Sequence, residues 1–510
     1  MSDQHDWTRR QILKTAAASA GGLMGALPAL EAISAAATPP DPERIRRENE
    51  HSGTRDWMTT NVQIDPKTRY RSPWIEGYAS RTSVRPGESI SFHVSTNPAS
   101  PFRMEIYRLG YYQGQGGRHM ISLGPFPGAV QKDPPVGPMR LRECRWEPCA
   151  TITIPADWTS GVYLGKLTAE REGLQSYVIF VVRDDRHADF LFQVSDNTWN
   201  AYNRWPSQFA LYDNGVKEWY WGPNVQTSFD RPYGKYCQVV DAPLSVGSGE
   251  FLLWEFPLAF WMEQQGYDVS YISNLDTHAE PDGPRRGKAW LSVGHDEYWS
   301  LAMFDNMVAM VKDGRNLAFL SGNSICGVVD IHPSGDGRAN RVIERVGRFG
   351  SPRKEEVEKG FPEEALFKKN GPNESLLIGA QSTYPVTGGG DWICRKPNHW
   401  LFAGTGMKDG DGIPGLVGWE WHGEPAAIPG LEIVASGPTK SPRDVGTFTA
   451  TLYPGPKGNL VFNASTIWWA DGLAEPPGYV RPAVYTNPKG PDPRVQRITR
   501  NLFQRMVQTG

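Results

Sequence analysis

Between residues 64 and 185 hydrophobic and polar positions alternate. In SISFHVST, Ile90, Phe92 and Val94 fall on one side and polar residues on the other, the period of a half-buried strand. IEGYAS, FRMEIYRL, ATITIP, GVYLGKLTA and SYVIFVV also read as strands, and RPGE and WTSG as turns between them. Six or seven short antiparallel strands in roughly a hundred residues predict an immunoglobulin-like β-sandwich.

The pattern changes after RDDRH. DFLFQV, YDVSYIS, KAWLSV, NLAFLS and GNLVFNAS are short apolar runs of strand length. Helical stretches alternate with them. EFPLAFWMEQQG ends at Gly266, and SLAMFDNMVAMVKDG places Leu301, Phe304, Met307, Val308 and Val311 at helical spacing before Gly314. PRVQRITRNLFQRMVQ reads as a terminal helix, and residues 333–415 as Gly/Pro-rich loops with short strands. The β-α-β order predicts an α/β domain over residues 186–510, a mainly parallel sheet with flanking helices, preceded by the all-β sandwich of residues 64–185.

Two N-terminal segments remain. Residues 38–63 are charged and polar and read as a linker or arm. Residues 1–37 carry Arg9-Arg10, a weakly apolar Ala/Gly-rich stretch and Ala35-Ala36-Ala37, and resemble a twin-arginine export signal. A periplasmic or secreted location is therefore expected. No later segment is apolar enough to span a membrane.

Composition adds three constraints. At 510 residues the chain exceeds one ordinary core, so two or more domains are expected. A net charge of −3 with no basic run gives no electrostatic footprint for nucleic acid or a membrane surface. Cys144 and Cys149 are close enough for a local disulfide, whereas Cys237, Cys326 and Cys394 show no zinc-type spacing.

In open parallel sheets, ligands bind beyond the carboxyl ends of the strands. Here the strands are followed by SDNTWNAYNRW, NLDTH, GHDEYWS and GNSICG, four polar loops rich in ligating and proton-transferring groups. In GHDEYWS, Glu297 suits a hard cation or general-base work, and His295 suits an orienting or proton-shuttling role. The competing explanation is that Asp296 or Ser300 caps the following helix. Tyrosines cluster near these loops at Tyr202, Tyr233, Tyr236 and Tyr298. Tyrosinate with carboxylate is a hard anionic oxygen set, favouring ferric iron over zinc or copper. GNSICG places Ser324 and Cys326 past a strand but lacks the glycine frame of a nucleophile elbow.

The motifs IEGYASRTSVRPGESISFHVSTN, MEIYRLGYYQGQGGR, PADWTSGVYLGKL, DNTWNAYNRW, SFDRPY, LSVGHDEYWS, FLSGNS and NASTIWWADGL together resemble the large subunit of N,N-dimethylformamidase, over nearly all of residues 64–510. The resemblance implies a small-amide hydrolase with one non-haem iron held by two tyrosines and a glutamate. Carried over by motif, the ligands would be Tyr202, Tyr233 (with Tyr236 as substitute) and Glu297. His295 and Asn323 would orient water or substrate, and Glu420 in GWEWHGE would be a further acid/base carboxylate. The family enzyme also carries a lectin-like module and a small partner subunit. Here an export signal and a short arm precede the sandwich, so neither dimethylformamide nor the small subunit is carried over.

The leading expectation is an exported, iron-dependent hydrolase of a small amide or other C–N bond, with a homo-oligomer allowed. The alternatives are a non-catalytic cell-envelope binding protein that keeps the fold, and a metal-free hydrolase using Cys326 or Ser324.

Overall fold

Alternation in Ser89–Ser95 becomes burial: Ile90, Phe92 and Val94 are all buried. In this computed structural model, which describes residues 41–233, 250–350, 362–382, 388–441, 445–481 and 489–510, they belong to a core shared by two sheets. The export-type segment 1–37, Tyr236 and Cys237 lie outside the described residues. One sheet joins Glu76–Ala79, Ser89–Ser95 and Pro148–Thr153. The other runs in the order Ser83–Val84, Gln175–Val182, Gly161–Ala169, Phe102–Leu109, Gly117–Phe126. Met104, Ile106, Val178 and Phe180 meet the first sheet's apolar face. Each such side chain contributes about 1.5–3 kcal/mol on burial. Gly117–Phe126 is an additional strand; Met120, Leu123 and Phe126 pack against the core three residues apart, across register shifts, so the strand shows no alternation to detect.

Cys144 and Cys149, near enough in sequence for a disulfide, are both free thiols. Cys144 packs with Tyr78, Trp146 and Trp205, whereas the Cys149 thiol donates to the Phe92 carbonyl at 3.3 Å. The arm preceding the sheets is docked. Ile45, in a short helix at Arg44–Glu48, and Trp57 are buried, and the Trp57 indole donates to Gln115 O at 3.0 Å.

The central sheet has nine strands: β1 (Ala188–Val194), β2 (Val269–Ser273), β3 (Gly287–Gly294), β4 (Asn316–Ser321), β5 (Gly389–Ile393), β6 (Gly412–Gly418), β7 (Glu432–Lys440), β8 (Val445–Pro454) and β9 (Leu460–Asn463). Their order is β2-β1-β3-β4-β9-β8-β7-β5-β6. The first five pair in parallel and the rest antiparallel. The expected mainly parallel sheet is therefore mixed. β5 to β9 follow one another without the α-helical crossovers that parallel pairing requires, so hairpin-like pairing takes over. Strand outweighs helix across the molecule.

Among the described residues, the helices that accompany this sheet include α1 (Asp196–Tyr202), α2 (Phe256–Gln264), α3 (Asn274–Ala279), α4 (Leu301–Asp313) and α5 (Pro493–Thr509). Ser300 caps α4, its hydroxyl accepting the Met303 N–H at 3.2 Å, and Gly314 ends it at φ 95°. The buried face is Met303, Phe304, Met307 and Met310, with Leu301, Val308 and Val311 at its edge. In α5, Val495, Ile498, Leu502 and Met506 repeat at helical spacing and are buried. Among the described residues no helix is long and apolar enough to cross a membrane.

Candidate active site

The polar loops beyond the parallel strands do come together. β3 ends at Gly294, whose φ of 66° turns the chain; a Cβ there would meet Trp254 Cβ at 2.7 Å. His295, Asp296 and Glu297 follow. α1 is fixed against them, because Thr198 Oγ1 accepts the N–H groups of Glu297 (3.0 Å) and Tyr298 (3.3 Å). Asn197 Nδ2 donates to Tyr298 O at 3.1 Å. This docking delivers Tyr202, the last residue of α1, to Glu297.

The Tyr202 hydroxyl donates to Glu297 Oε2 at 2.8 Å. The Tyr212 hydroxyl is 2.8 Å from Glu297 Oε1, 3.0 Å from Oε2 and 2.8 Å from the Tyr202 hydroxyl. Two phenols and one carboxylate thus share a single point, with all three residues buried. Burial, then the Glu297 charge, pushes both phenols far above their ordinary range.

His295 stands next to this group. Its Nε2 is 2.6 Å from Glu420 Oε2 and 3.3 Å from Glu297 Oε2, and its Nδ1 is 3.7 Å from Glu250 Oε2. Burial opposes a charge on the ring, but the Glu420 carboxylate overcomes it and raises His295 well above the ordinary imidazole range. Burial raises Glu420, and raises Glu250 to about 7. Trp254 and Trp419 present their rings to the imidazole at 5.6 and 6.0 Å, walling this side with aromatic surface.

Asn323 is within hydrogen-bonding reach of Glu420 and has φ 49°, a left-handed conformation that asparagine tolerates. The preceding Gly322 has no room for a side chain. A Cβ would lie 2.3 Å from the Glu420 carbonyl oxygen and 2.7 Å from Ile467 N. Asp296, read from sequence as a possible helix cap, is instead a hub. Its carboxylate accepts from Gln193 on β1 (3.0 Å), Ser292 on β3 (2.9 Å) and Asn274 at the start of α3 (3.0 Å).

Of the expected residues, Tyr202, Glu297, His295, Asn323 and Glu420 are brought together. Tyr233 is not among the hydrogen-bonding partners of Tyr202 or Glu297. It lines a separate cleft with Tyr78, Thr82, Val178 and Phe229, against the β-rich module. The second phenol beside Glu297 is Tyr212. Glu250 also escaped the sequence; it lies far from GHDEYWS in the chain and in no motif.

Among the described residues, neither nucleophile candidate has a hydrogen-bonded base on its side chain. Ser324 Oγ pairs with Ser321 Oγ at 2.5 Å. The nearby His422 uses Nε2 to accept the Ser324 backbone N–H (3.1 Å) and Nδ1 to meet Asn463 Oδ1 (3.0 Å). Burial raises the Cys326 thiol well above its ordinary range, which disfavours the thiolate.

A family model described as N,N-dimethylformamidase beta subunit-like, C-terminal, matches residues 103–483. The chain belongs to this family. A comparison with curated proteins finds no match. The dimethylformamidase-like match covers every residue of the cluster and points to a hydrolase of the amidohydrolase kind.

The donor chemistry fits a hard cation. Among the described residues no group of three or more His, Cys, Asp or Glu is arranged to hold a metal. The convergent set is phenol, phenol and carboxylate, with oxygen spacings of 2.8–3.0 Å. Oxygens sharing an octahedral ion at about 2.0 Å lie about 2.8 Å apart. Both oxygens of Glu250, Oε2 of Glu420 and both ring nitrogens of His295 are buried without a hydrogen bond of proper geometry. Three carboxylates around one imidazole leave excess negative charge that a cation would balance.

Proposed function

We propose that this chain is an exported, iron-dependent hydrolase of a small amide or other C–N bond. The convergence of Tyr202, Tyr212 and Glu297 in a buried, acid-rich site carries this proposal. These three residues would hold the iron, Tyr212 replacing Tyr233 in the set expected from sequence. Ferric iron bound there would supply Lewis acidity toward the amide carbonyl and toward water.

The remaining roles belong to the chain's own side chains. Glu420 and His295, 2.6 Å apart, take the proton from the attacking water and return it to the leaving nitrogen as the C–N bond breaks. The Asn323 amide donates to the carbonyl oxygen as charge builds on it. Trp254 and Trp419 exclude bulk water, which strengthens each of these interactions. The shared core of the two sheets before residue 186 supports an immunoglobulin-like module, and the parallel half of the central sheet supports an α/β origin for the catalytic part. The twin-arginine motif supports export in the folded state.

The test is iron content and visible absorption of the purified protein after reconstitution with ferric iron, alongside amine release from a panel of small N-substituted amides. Near-stoichiometric iron, a phenolate-to-iron band and released amine are expected. A chain that takes up no iron and shows no band overturns the proposal in favour of a non-catalytic binding protein. Hydrolysis that survives Glu297→Ala but not Cys326→Ala overturns it in favour of a thiol nucleophile.

A further inference from the structure

Tyr212 sits in the segment between α1 and the short strand Gln226–Ser228, and this segment contains no helix or strand of its own. Apart from one isolated bridge between Asp213 and Glu218, its backbone carbonyls have no ladder, and buried carbonyls must be satisfied in some other way. Two arginines do this. Arg231 is 1% exposed and Arg345 is 0% exposed. Neither pairs with a carboxylate among the described residues; both donate to neutral acceptors.

Arg231 uses all five of its donors. They go to Ser228 O (3.0 Å), Trp205 O (3.1 Å), Phe209 O (2.9 Å), Asn200 O (2.9 Å) and Asn200 Oδ1 (3.1 Å). Arg345 donates to Gly222 O (2.9 Å), Leu211 O (2.8 Å), Tyr220 O (2.6 Å) and the Tyr298 hydroxyl (3.3 Å). Its guanidinium also lies 5.3 Å from the Tyr212 ring centre. Asn200 is two residues before Tyr202, and Leu211 immediately precedes Tyr212. The Tyr298 hydroxyl is in turn within hydrogen-bonding reach of Tyr212.

Burying two guanidinium groups without counter-charges is costly, and burial, as the largest cause, lowers Arg231 to about 10. A stretch of loop that only had to be folded could use neutral donors. The planar five-donor fork is suited to tying several separated carbonyls into one rigid arrangement. We propose that Arg231 and Arg345 are positioning residues that brace the Asn200–Gly222 segment and hold the Tyr202 and Tyr212 hydroxyls on the Glu297 carboxylate. This rests on the Tyr202–Tyr212–Glu297 site described above.

Arg345→Lys and Arg231→Lys keep the charge and lose the fork. Crystal structures of the metal-free variants test the bracing directly, with Arg186→Lys, at a buried arginine paired with Asp184 and Asp268, as control. Arg345→Lys is expected to move the Tyr212 hydroxyl about 1 Å or more from Glu297, and Arg231→Lys to do the same to Tyr202. Iron affinity should fall about 10–100-fold in both and stay unchanged in the control, with the phenolate band shifted in the two variants alone. Unmoved tyrosines in the folded variants overturn the proposal. Wild-type protein that binds no iron overturns the functional reading instead, and the metal-free structures still decide the bracing. Should Arg345→Lys fail to fold, Arg345→Gln keeps one amide donor, removes the fork and leaves the Tyr298–Tyr212 contact in place. A displaced Tyr212 then supports the brace, and an unmoved one overturns the Arg345 half.

Discussion

Among the described residues, two of the buried polar clusters are built on opposite principles. In the first, Arg108 forms a fork on Glu263, with contacts of 2.7 and 3.0 Å and both side chains fully buried. Asn49 and Tyr271 also donate to Glu263, at 2.9 and 3.0 Å. Glu48 accepts from Tyr112, Thr159 and Arg118 at 2.7–2.9 Å. Two arginines face two glutamates, and the network joins the arm, the β-rich module and the central sheet's α2. In the second, Glu250, Glu297 and Glu420 surround the single imidazole of His295, and several of their atoms have no hydrogen bond. The first cluster is balanced and saturated, which suits a joint. The second is left acidic and under-satisfied, which suits a site that acts on something brought to it.

Mutation should separate the two. The largest loss of stability is expected at the joint. Glu263→Ala strands Arg108 and should cost about 3–5 kcal/mol in denaturant unfolding, with activity per folded molecule retained. Glu297→Gln should do the reverse. Hydrolysis and iron content should collapse, with a rate loss of about 10²–10³-fold or more, while the melting temperature holds or rises as repulsion among the carboxylates is relieved. Tyr212→Phe against Tyr233→Phe sharpens the comparison further. The first should lower iron affinity about tenfold or more and shift the visible band, and the second should leave both unchanged.

The smallest effect, in mild acid, comes from Glu48. Although burial opposes its charge, the Arg108 charge and three hydrogen bonds hold this carboxyl at about 2, below its usual value. The folded state therefore binds the proton less readily than the unfolded state. Glu48 contributes stability fully above about pH 4.5, and this contribution is lost as pH falls toward 2. Unfolding curves from pH 5 to 2.5 should show a shallower decline in Glu48→Gln than in the wild type.

Regular elements were legible in the sequence where burial leaves a continuous apolar run or imposes a period. The five parallel strands, α4 with its Ser300 cap and Gly314 stop, and α5 all follow from it. The antiparallel half was not legible: GIPGLVG and EIVASGPTK mix Gly, Pro and polar residues and carry no clean alternation. In the site, His295, Glu297 and Asn323 were readable because each directly follows a strand. Tyr212 follows none. It reaches Glu297 through a segment with no periodic signal, and the available clue was only that FALY is apolar and ends ten residues after Tyr202. Glu250, Arg231 and Arg345 were invisible for a different reason. Their significance lies in what surrounds them, and a chain of letters does not show which charges go unmatched.

Gly322 gives one further consequence. It performs no chemistry, yet the Glu420 carbonyl occupies the space where its side chain would begin. A saturation library at this position should therefore score like one at a catalytic residue. Even Gly322→Ala would wedge apart the segments that carry Asn323 and Glu420. Sequence surveys that rank positions by intolerance alone would place it among the reacting groups, and only the contact with Glu420 reveals that its contribution is the absence of a methyl group.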